Sequence, residues 1–355
     1  MDERKKQILK AVVEDYVISA EPVGSKSLIE RHNLGVSSAT IRHEMADLEA
    51  EGYLEKPYTS AGRIPSDKGY RSYVDELLEV GELPRTQAIA MRTMFKDSLV
   101  ELTDLIRQAT AVLSAQNDYV SLALTPKYAN SRLRQVKLLM IEPGKVLVVV
   151  VLAAGLVKDR LVRISDQISG EQLDRLGKAI EEGLAGKKLS DITLVTVAGT
   201  VSGQPLADGL LNQVIYEAYV SIKQAEHLDL YVEGTHRLLA QPEYRDVDKA
   251  HRFMRALGEE KTIAGYIADL PAADDLACGR YLVRIGQEIT LDGFEDTSFI
   301  TSTYCVNGEV YGQIGVIGPR RMDYGRIISQ IRFINRQLHE ATSDAPHISK
   351  DNHEA

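Results

Sequence analysis

Residues 37–51 (SSATIRHEMADLEAE) combine side chains that suit contact with DNA bases. At about 100° per residue, a helix over this segment separates two faces. The inner face is apolar, with Ile41, Met45 and Leu48, and the outer face is small and polar, with Ala39, Arg42, His43, Ala46 and Ala50. Alanines permit a close approach, and Arg42 or His43 can donate to the N7 or O6 atoms of purines. An amphipathic surface helix has the same apolar stripe, so the segment alone leaves both interpretations open.

The beginning of this helix carries three hydroxyl side chains, Ser37, Ser38 and Thr40. Hydroxyls and free backbone amides at a helix start suit phosphate oxygens. Together the outer face and the helix start predict a recognition helix in a major groove.

A turn-rich ribbon follows, in the sequence YLEKPYTSAGRIPSDKGYRSY over residues 53–73. We expect a strand at residues 53–56 and a tip at Thr59, Ser60, Ala61 and Gly62. Residues 56–71 contain one acidic residue, Asp67, and four basic residues, which are Lys56, Arg63, Lys68 and Arg71. Arg63 beside the tip is predicted to enter a narrow minor groove, with a solvated turn arginine as the alternative.

Other motifs favour neither an enzyme nor a metal protein. The sequence lacks a G-x-S-x-G elbow, an H-E-x-x-H motif and a P-loop, and its eight histidines show no ligand spacing. The regular spacing of Gly312, Gly315 and Gly318 differs from the dinucleotide fingerprint, so close packing in a strand is favoured over a ligand site. We therefore predict no catalytic residues, no cofactor and no metal. A small-molecule sensor using the second domain stays open as the alternative function.

The elements that position the DNA-contacting residues occupy the first part of the chain. Up to about residue 83 the pattern predicts three short helices, the ribbon and a fourth helix. Residues 81–84 lose the helical pattern and form a candidate linker. A long helix is expected over residues 86–116, with an apolar stripe at Phe95, Leu99, Leu102, Ile106, Ala109 and Leu113. Such a stripe suits a helix laid on a sheet or one paired with its copy in a second subunit.

The remainder alternates between strands and helices. Three antiparallel strands are predicted over residues 136–164, helices at 169–184 and near 210–225, and a helix at 247–257. Further strands are expected near residues 230–239, 281–289, 298–306 and 309–318, before a helix at 324–338 and a disordered tail. The fold class predicted is α+β, with one domain interrupted by a mostly helical insertion.

Composition excludes several classes of protein. The 355 residues carry a net charge of -9, which argues against a protein that coats nucleic acid along its whole surface. Two cysteines are too few for a disulfide scaffold. The apolar run at residues 146–157 is shorter than the ~20 residues of a membrane-crossing helix, and the first residues do not resemble a signal peptide. We expect a cytoplasmic protein without a membrane partner.

Two separated motifs resemble the HrcA family of heat-inducible transcription repressors. The first is SSATIRHEMADLEAEGYLEKPYTSAGRIPSDKGYRSYVD at residues 37–75, and the second comprises IGQEI at 285–289 and YGQIGVIGPRRMDY at 311–324. The resemblance spans nearly the whole chain. It implies a winged helix-turn-helix domain at 1–82, a GAF-like domain at 83–165 and 231–340, an inserted dimerisation domain at 166–230 and a tail at 341–355.

The resemblance also implies function and partners. Its members are homodimeric repressors of chaperone operons that bind an inverted-repeat operator named CIRCE, with activity linked to the chaperonin GroEL. Carried onto this chain, DNA contacts fall on Ser37, Ser38, Thr40, Arg42, His43, Thr59, Ser60, Gly62 and Arg63. An interdomain or dimer contact is expected at Arg320, Arg321 and Tyr324. The chain departs from the family pattern at His43, Tyr58 and Ser66, where Asn, His and Thr are expected.

Overall fold

The structure is a computed structural model that mixes helices and antiparallel sheets. It describes residues 1–58, 61–95, 102–125, 131–153, 157–203, 205–225, 228–270, 279–306 and 309–343. The chain divides into two compact units. Unit 1 comprises Met1–Thr125 and Leu230–Ala355, and unit 2 comprises Pro126–Asp229. Within the described ranges, every helix falls short of the length and apolar character that a membrane span requires.

Unit 1 begins with helices and a short ribbon, in the predicted order. The elements are α1 (Glu3–Ser19), α2 (Ser25–Arg31), α3 (Ser38–Ala50), β1 (Leu54–Glu55), β2 (Ile64–Pro65) and α4 (Asp67–Ser72). Asp2 caps α1 by accepting from the Lys5 amide at 2.8 Å, and α1 ends at Ala20, whose φ of 55° is left-handed. Three helices bury one apolar cluster, whose members include Ile8, Leu9, Val12, Leu28, Ile41 and Leu48. This cluster fixes the orientation of α3.

A five-stranded antiparallel sheet forms the second part of unit 1, in the order β7-β3-β10-β9-β8. Its strands are β3 (Val120–Leu124), β7 (Leu230–Glu233), β8 (Tyr281–Ile285), β9 (Thr297–Val306) and β10 (Glu309–Pro319). The accompanying helices are α5 (Arg85–Met94), α6 (Leu102–Asn117), α10 (Thr235–Leu238), α11 (Val247–Leu257), α12 (Glu260–Asp269) and α13 (Tyr324–Ser343). Helices α6 and α13 pack on the sheet and on each other.

The long helix predicted over residues 86–116 is not continuous. Helix α5 ends at Met94, and Phe95 is extended, with ψ of 119°. Leu99 lies outside the described residues. On α6, Ile106, Ala109 and Leu113 are buried in the core that includes the sheet. The apolar stripe is thus used within the chain, as a helix laid on a sheet.

Unit 2 contains a separate three-stranded antiparallel sheet, in the order β4-β5-β6. Its elements are β4 (Leu133–Glu142), β5 (Lys145–Leu152), β6 (Val157–Arg163), α7 (Gly170–Leu184), α8 (Leu194–Thr200) and α9 (Asp208–Gln224). Ser169 caps α7 in a reciprocal capping box with Gln172. Helices α7 and α9 cover the face that carries Val146, Val148 and Val150.

The division of the chain differs from the expected limits at 166 and 230. The sequence predicts the strands of residues 136–164 as part of the interrupted domain, whereas β4, β5 and β6 pair with one another in a sheet of their own. Because α7 and α9 pack on that sheet, unit 2 starts at Pro126 and is mixed rather than mostly helical.

Candidate nucleic-acid interface

Helix α3 presents the outer face that the sequence indicates. Ile41, Met45 and Leu48 are buried. The exposed side is formed by Ala39, Arg42, His43, Ala46 and Ala50. The three alanines on this side have short side chains, so the longer side chains of Arg42 and His43 project beyond them. A groove of DNA can approach such a surface closely.

Hydroxyl side chains fix the start of α3. Ser37 Oγ accepts a hydrogen bond from the Thr40 amide at 3.2 Å and lies 2.9 Å from Thr40 Oγ1. Ser38 Oγ lies 3.1 Å from Ser25 Oγ at the start of α2. Ser37 is exposed, whereas Ser38 and Thr40 are half-buried. The predicted phosphate contacts therefore share their hydroxyls with capping and with the α2–α3 contact.

The acids of α3 and its C-cap are balanced by cations of the same unit. Lys5 lies 2.6 Å from Glu51 Oε1 and 3.3 Å from Asp47 Oδ2, and Arg4 lies 3.6 Å from Glu44. The hydrogen bond to Glu51 raises the pKa of Lys5, so this cation stays charged. Sequence reasoning missed these pairs, although the i, i+4 spacing of Asp47 and Glu51 places both carboxylates on one side of the helix.

Arg42 and His43 differ from these paired groups. Neither forms an ion pair with another residue that the structure describes. The carboxylates of α3 and its C-cap pair with Arg4, Lys5 and Arg63, and Glu49 lies two turns after Arg42 on the same side of the helix. The outer face thus carries an exposed guanidinium, that of Arg42, which forms no ion pair with a described residue.

The ribbon is tied to the α1–α2 connection. Val23 and Arg63 exchange backbone hydrogen bonds of 2.9 and 2.8 Å. A Cβ on Gly62 would lie 2.4 Å from the Val23 carbonyl oxygen, so glycine at this position permits the strand contact. Gly62 thus packs against the connection, and the predicted tip residues Thr59 and Ser60 lie outside the described residues.

Arg63 does not project freely from the ribbon. Its Nη2 atom lies 2.7 Å from Glu49 Oε2 on α3, and only 18% of its side chain is exposed. The ion pair directs the Arg63 guanidinium toward α3. This placement differs from the projecting side chain that insertion into a minor groove requires.

The basic segment at positions 56–71 does not converge on one surface. Lys68 lies 4.2 Å from the centroid of the Tyr53 ring and donates to the Glu51 carbonyl oxygen at 2.8 Å. Arg71 donates to the Val283 carbonyl at 2.7 Å and forms an ion pair with Glu288. Lys68 and Arg71 thus have different surroundings, which are set by tertiary contacts. A count of charges along the sequence does not show these contacts.

Arg320 connects the N-terminal helices to the five-stranded sheet. Its Nη1 donates to Asp67 Oδ1 at 2.7 Å, and its Nη2 donates to Asp296 Oδ1 at 3.3 Å. The Gln287 amide donates to the second Asp67 oxygen at 3.1 Å. Gly286 is required beside this pair, since a Cβ there would lie 2.2 Å from Asp67 Oδ2.

Arg321 and Tyr324 lie at the same junction. Arg321 forms an ion pair with Glu243 and donates to the Val17 carbonyl at 3.2 Å and to Gln241 Oε1 at 2.9 Å. The Tyr324 ring lies 6.1 Å from that of Tyr70, between centroids. Arg320, Arg321 and Tyr324, the three predicted contact residues, thus lie between the N-terminal helices and the sheet part of unit 1. Asp67 and Arg71 take part in the same junction, which the sequence did not indicate.

The regularly spaced glycines of β10 pack against neighbouring strands. A Cβ on Gly312 would lie 2.2 Å from the Leu124 carbonyl oxygen, and one on Gly315 would lie 2.4 Å from that of Ile300. Close strand packing therefore accounts for these two positions. Across the described ranges, no group of three His, Cys, Asp or Glu side chains is arranged to hold a metal ion.

Comparisons with known proteins give one consistent family. Residues 103–328 match the family model described as the HrcA protein C terminal domain. The chain is 38% identical over 349 residues to the heat-inducible transcription repressor HrcA of Ruminiclostridium cellulolyticum, covering 96% of this chain and 97% of the relative. It is 35% identical over 340 residues to the protein of that name from Acetivibrio thermocellus, covering 96% of each.

A solved structure is similar in fold. A crystal structure described as that of a hypothetical protein aligns with a TM-score of 0.61 at 20% identity, covering 97% of this chain and 99% of the other. The similarity concerns the arrangement of helices and strands along nearly the full chain.

Proposed function

The chain belongs to the HrcA family of heat-inducible transcription repressors, and from this premise we propose that it represses transcription by binding an inverted-repeat operator as a homodimer. The operator is of the CIRCE class, and the repressed genes are heat-shock chaperone operons. In this proposal α1–α3 and the ribbon act as a winged-helix domain, and the five-stranded sheet with its helices acts as a GAF-like domain. The family is named for transcription repression, not for catalysis.

The observation that carries DNA binding is the outer face of α3. Its exposed Arg42 and His43 flank alanines, and its carboxylates are paired elsewhere. Arg42 is proposed to donate to a base edge, and Ser37 at the helix start to contact a phosphate. Arg63 is proposed to hold the ribbon against α3 through its ion pair with Glu49, and its expected minor-groove contact stays a prediction. The wing residues Thr59 and Ser60 keep their proposed DNA contact from the family resemblance.

Homodimer formation is supported by the outer face of the unit 2 sheet. In β5, side chains alternate between buried and half-buried positions, so one face packs on helices and the other does not. The second face carries Leu139, Val157 and Leu161, which are 47%, 56% and 61% exposed, with Leu147 beside Leu139 and Leu161 in the strand register. Exposed apolar side chains on a sheet face, bordered in the register by Lys145, Asp159 and Arg163, suit a twofold contact with a second copy. We assign the dimerisation role to unit 2 on this basis.

The chaperonin GroEL is proposed as the partner that keeps the repressor competent. Support for this partner comes from the family resemblance of the sequence. In this scheme, heat-damaged proteins that occupy the chaperonin relieve repression.

Half-site spacing tests the proposal. A dimer holds its two α3 helices at a fixed separation, so its operator must place two half-sites at a matching distance. Inserting 5 base pairs between the half-sites turns one of them by about half a helical turn. We expect the affinity of the full-length protein for this duplex to fall to that for a scrambled duplex. Equal binding to the operator and the 5-base-pair insertion would contradict the dimeric arrangement.

A further inference from the structure

A basic groove lies between helices α5 and α13 of unit 1, away from α3. Its volume is about 600 Å³. Each helix lines it with side chains at helical spacing. On α5 these are Arg85, Ala88, Ile89 and Arg92, and on α13 they are Ser329, Arg332, Phe333 and Arg336. The two helices thus present a similar stripe, with an apolar side chain between arginines.

Two of the four arginines that line this groove have a partner within the described part of the chain. Arg92 donates to Gln337 Oε1 at 3.2 Å and lies 3.9 Å from Glu340. Arg332 lies over the Tyr281 ring, at 5.3 Å from its centroid. Arg85 and Arg336 form no ion pair with any residue that the structure describes. Four guanidinium groups face a single lining carboxylate, Glu82, in a chain whose net charge is -9.

Apolar side chains occupy the middle of the groove. Ile89 is 56% exposed, although it lies on the helix face that points into the groove. Phe333 and Leu83 are half-buried beside it. A nucleic-acid backbone would satisfy the arginines but would leave these apolar side chains facing phosphates. An occupant with carboxylates at its edges and apolar side chains at its centre satisfies both.

The groove also involves the connection to the DNA-binding part. Ser329 Oγ donates to the Gly81 carbonyl oxygen at 2.8 Å, which attaches the segment before α5 to α13. Val80, Gly81 and Leu83 line the groove. An occupant therefore contacts the segment through which α1–α4 join the sheet.

We propose that this groove is a docking site for an acidic amphipathic helical segment of a partner protein. Leucine-like side chains of the segment contact Ile89 and Phe333, and its carboxylates pair with Arg85, Arg92, Arg332 and Arg336. The site is separate from the DNA contact proposed for α3.

Fluorescence anisotropy with a labelled peptide tests this site. The probe is a 14-residue helical peptide with a leucine stripe at i, i+3 and i+7 flanked by glutamates, and its control is a scrambled peptide of the same composition. The full-length protein should bind the patterned peptide at least fivefold more tightly. The double variant Arg85→Glu/Arg336→Glu should weaken binding by about tenfold or more, because both side chains are exposed and neither forms an ion pair with a described residue.

A charge-matched variant separates the groove from general attraction. Arg134→Glu/Arg175→Glu changes two exposed arginines of unit 2 by the same net charge. It should alter peptide binding by less than twofold. Equal loss in both double variants, or equal binding of the scrambled peptide, would overturn the proposal.

Two further outcomes would assign the groove to another occupant. If a random-sequence DNA duplex displaced the peptide and bound more tightly through the same arginines, the groove would be a nucleic-acid contact. If Arg85→Glu/Arg336→Glu changed the sedimentation mass and left peptide binding intact, it would be a contact between copies of the chain. Either result would overturn the docking site without affecting the operator test.

Discussion

Arg42 and Arg63 belong to the same predicted DNA-binding segment but have different surroundings. Arg42 is exposed on α3 with no ion pair among the described residues, whereas Arg63 is largely buried against Glu49. A free guanidinium can donate to a base edge without first breaking a contact. The difference separates a residue proposed to recognise DNA from one that supports the recognising helix.

Arg63→Ala should reduce the stability of the N-terminal helices. The change removes a partly buried ion pair between the ribbon and α3, for which we expect a loss of about 1–2 kcal/mol. Thermal or urea unfolding measures this loss, and Lys56→Ala, at an exposed position of the same ribbon, should change stability little. A variant of normal stability with uniformly weakened DNA binding would instead show that Arg63 contacts phosphate.

Asp296 supplies a pH-dependent contribution to stability. Burial opposes its ionisation, but the hydrogen bond from Lys249 and the charges of Lys249, Arg320 and Arg252 lower its pKa overall. A carboxyl whose pKa is lower in the folded state stabilises the fold above its unfolded pKa of ~3.9 and loses this effect as the pH falls through the folded value.

Comparison of the wild type with Asp296→Asn measures this effect. The wild type should have the higher melting temperature at pH 7, and the difference should shrink as the pH falls below ~4. Asp292→Asn, at an exposed site nearby, is the control. A difference that stays constant down to pH 3 would contradict the assigned cause.

At the scale of elements, the sequence predicted those helix limits and caps that depend on neighbouring residues. The helix Val247–Leu257 has the predicted bounds, and Ser169 caps α7 as its sequence indicates. No glycine or proline near Phe95 indicates that the helix ends there. Helix α12 was not predicted, because it contains the weak helix formers Thr262, Gly265 and Tyr266. These features depend on packing partners distant in sequence.

The exposed face of the unit 2 sheet carries a prediction at this scale. Leu161→Glu should convert the dimer into monomers, because a carboxylate would be buried in an apolar twofold contact. Sedimentation velocity measures the mass, and operator binding should weaken with it. Val247→Glu, which alters an apolar side chain 78% exposed at the start of α11, is the matched control. A Leu161→Glu protein that remained dimeric would place the contact elsewhere.

At the scale of the whole chain, contacts over long sequence distances decide the use of each charge. Asp67 and Arg320 are separated by 253 positions, and Arg71 and Glu288 by 217. The sequence showed Arg71 within a basic segment, but it could not show that the sheet would supply a carboxylate to it. The outer face of α3 was predictable because one helical period determines it, whereas the junction required the tertiary fold.

The same argument applies to the division of the chain. Three strands at residues 133–163 could be predicted from β-branched runs and turns, and their number agrees with the structure. Which sheet they join depends on hydrogen bonds that local patterns do not specify. The limits of unit 2 therefore differ from those expected from sequence.

Titration of the full-length protein with DNA at two salt concentrations tests the central proposal, that the outer face of α3 reads an operator. The ligands are an inverted-repeat CIRCE-type duplex and a scrambled duplex of equal length, and the proteins are the wild type, Arg42→Ala and the exposed-arginine control Arg134→Ala. We predict tight, salt-dependent binding of the wild type and the control to the inverted repeat. Arg42→Ala should cost about 1–3 kcal/mol and relax the preference at one position per half-site. Unchanged affinity and base preference in Arg42→Ala would contradict the assignment of α3 as the recognition helix.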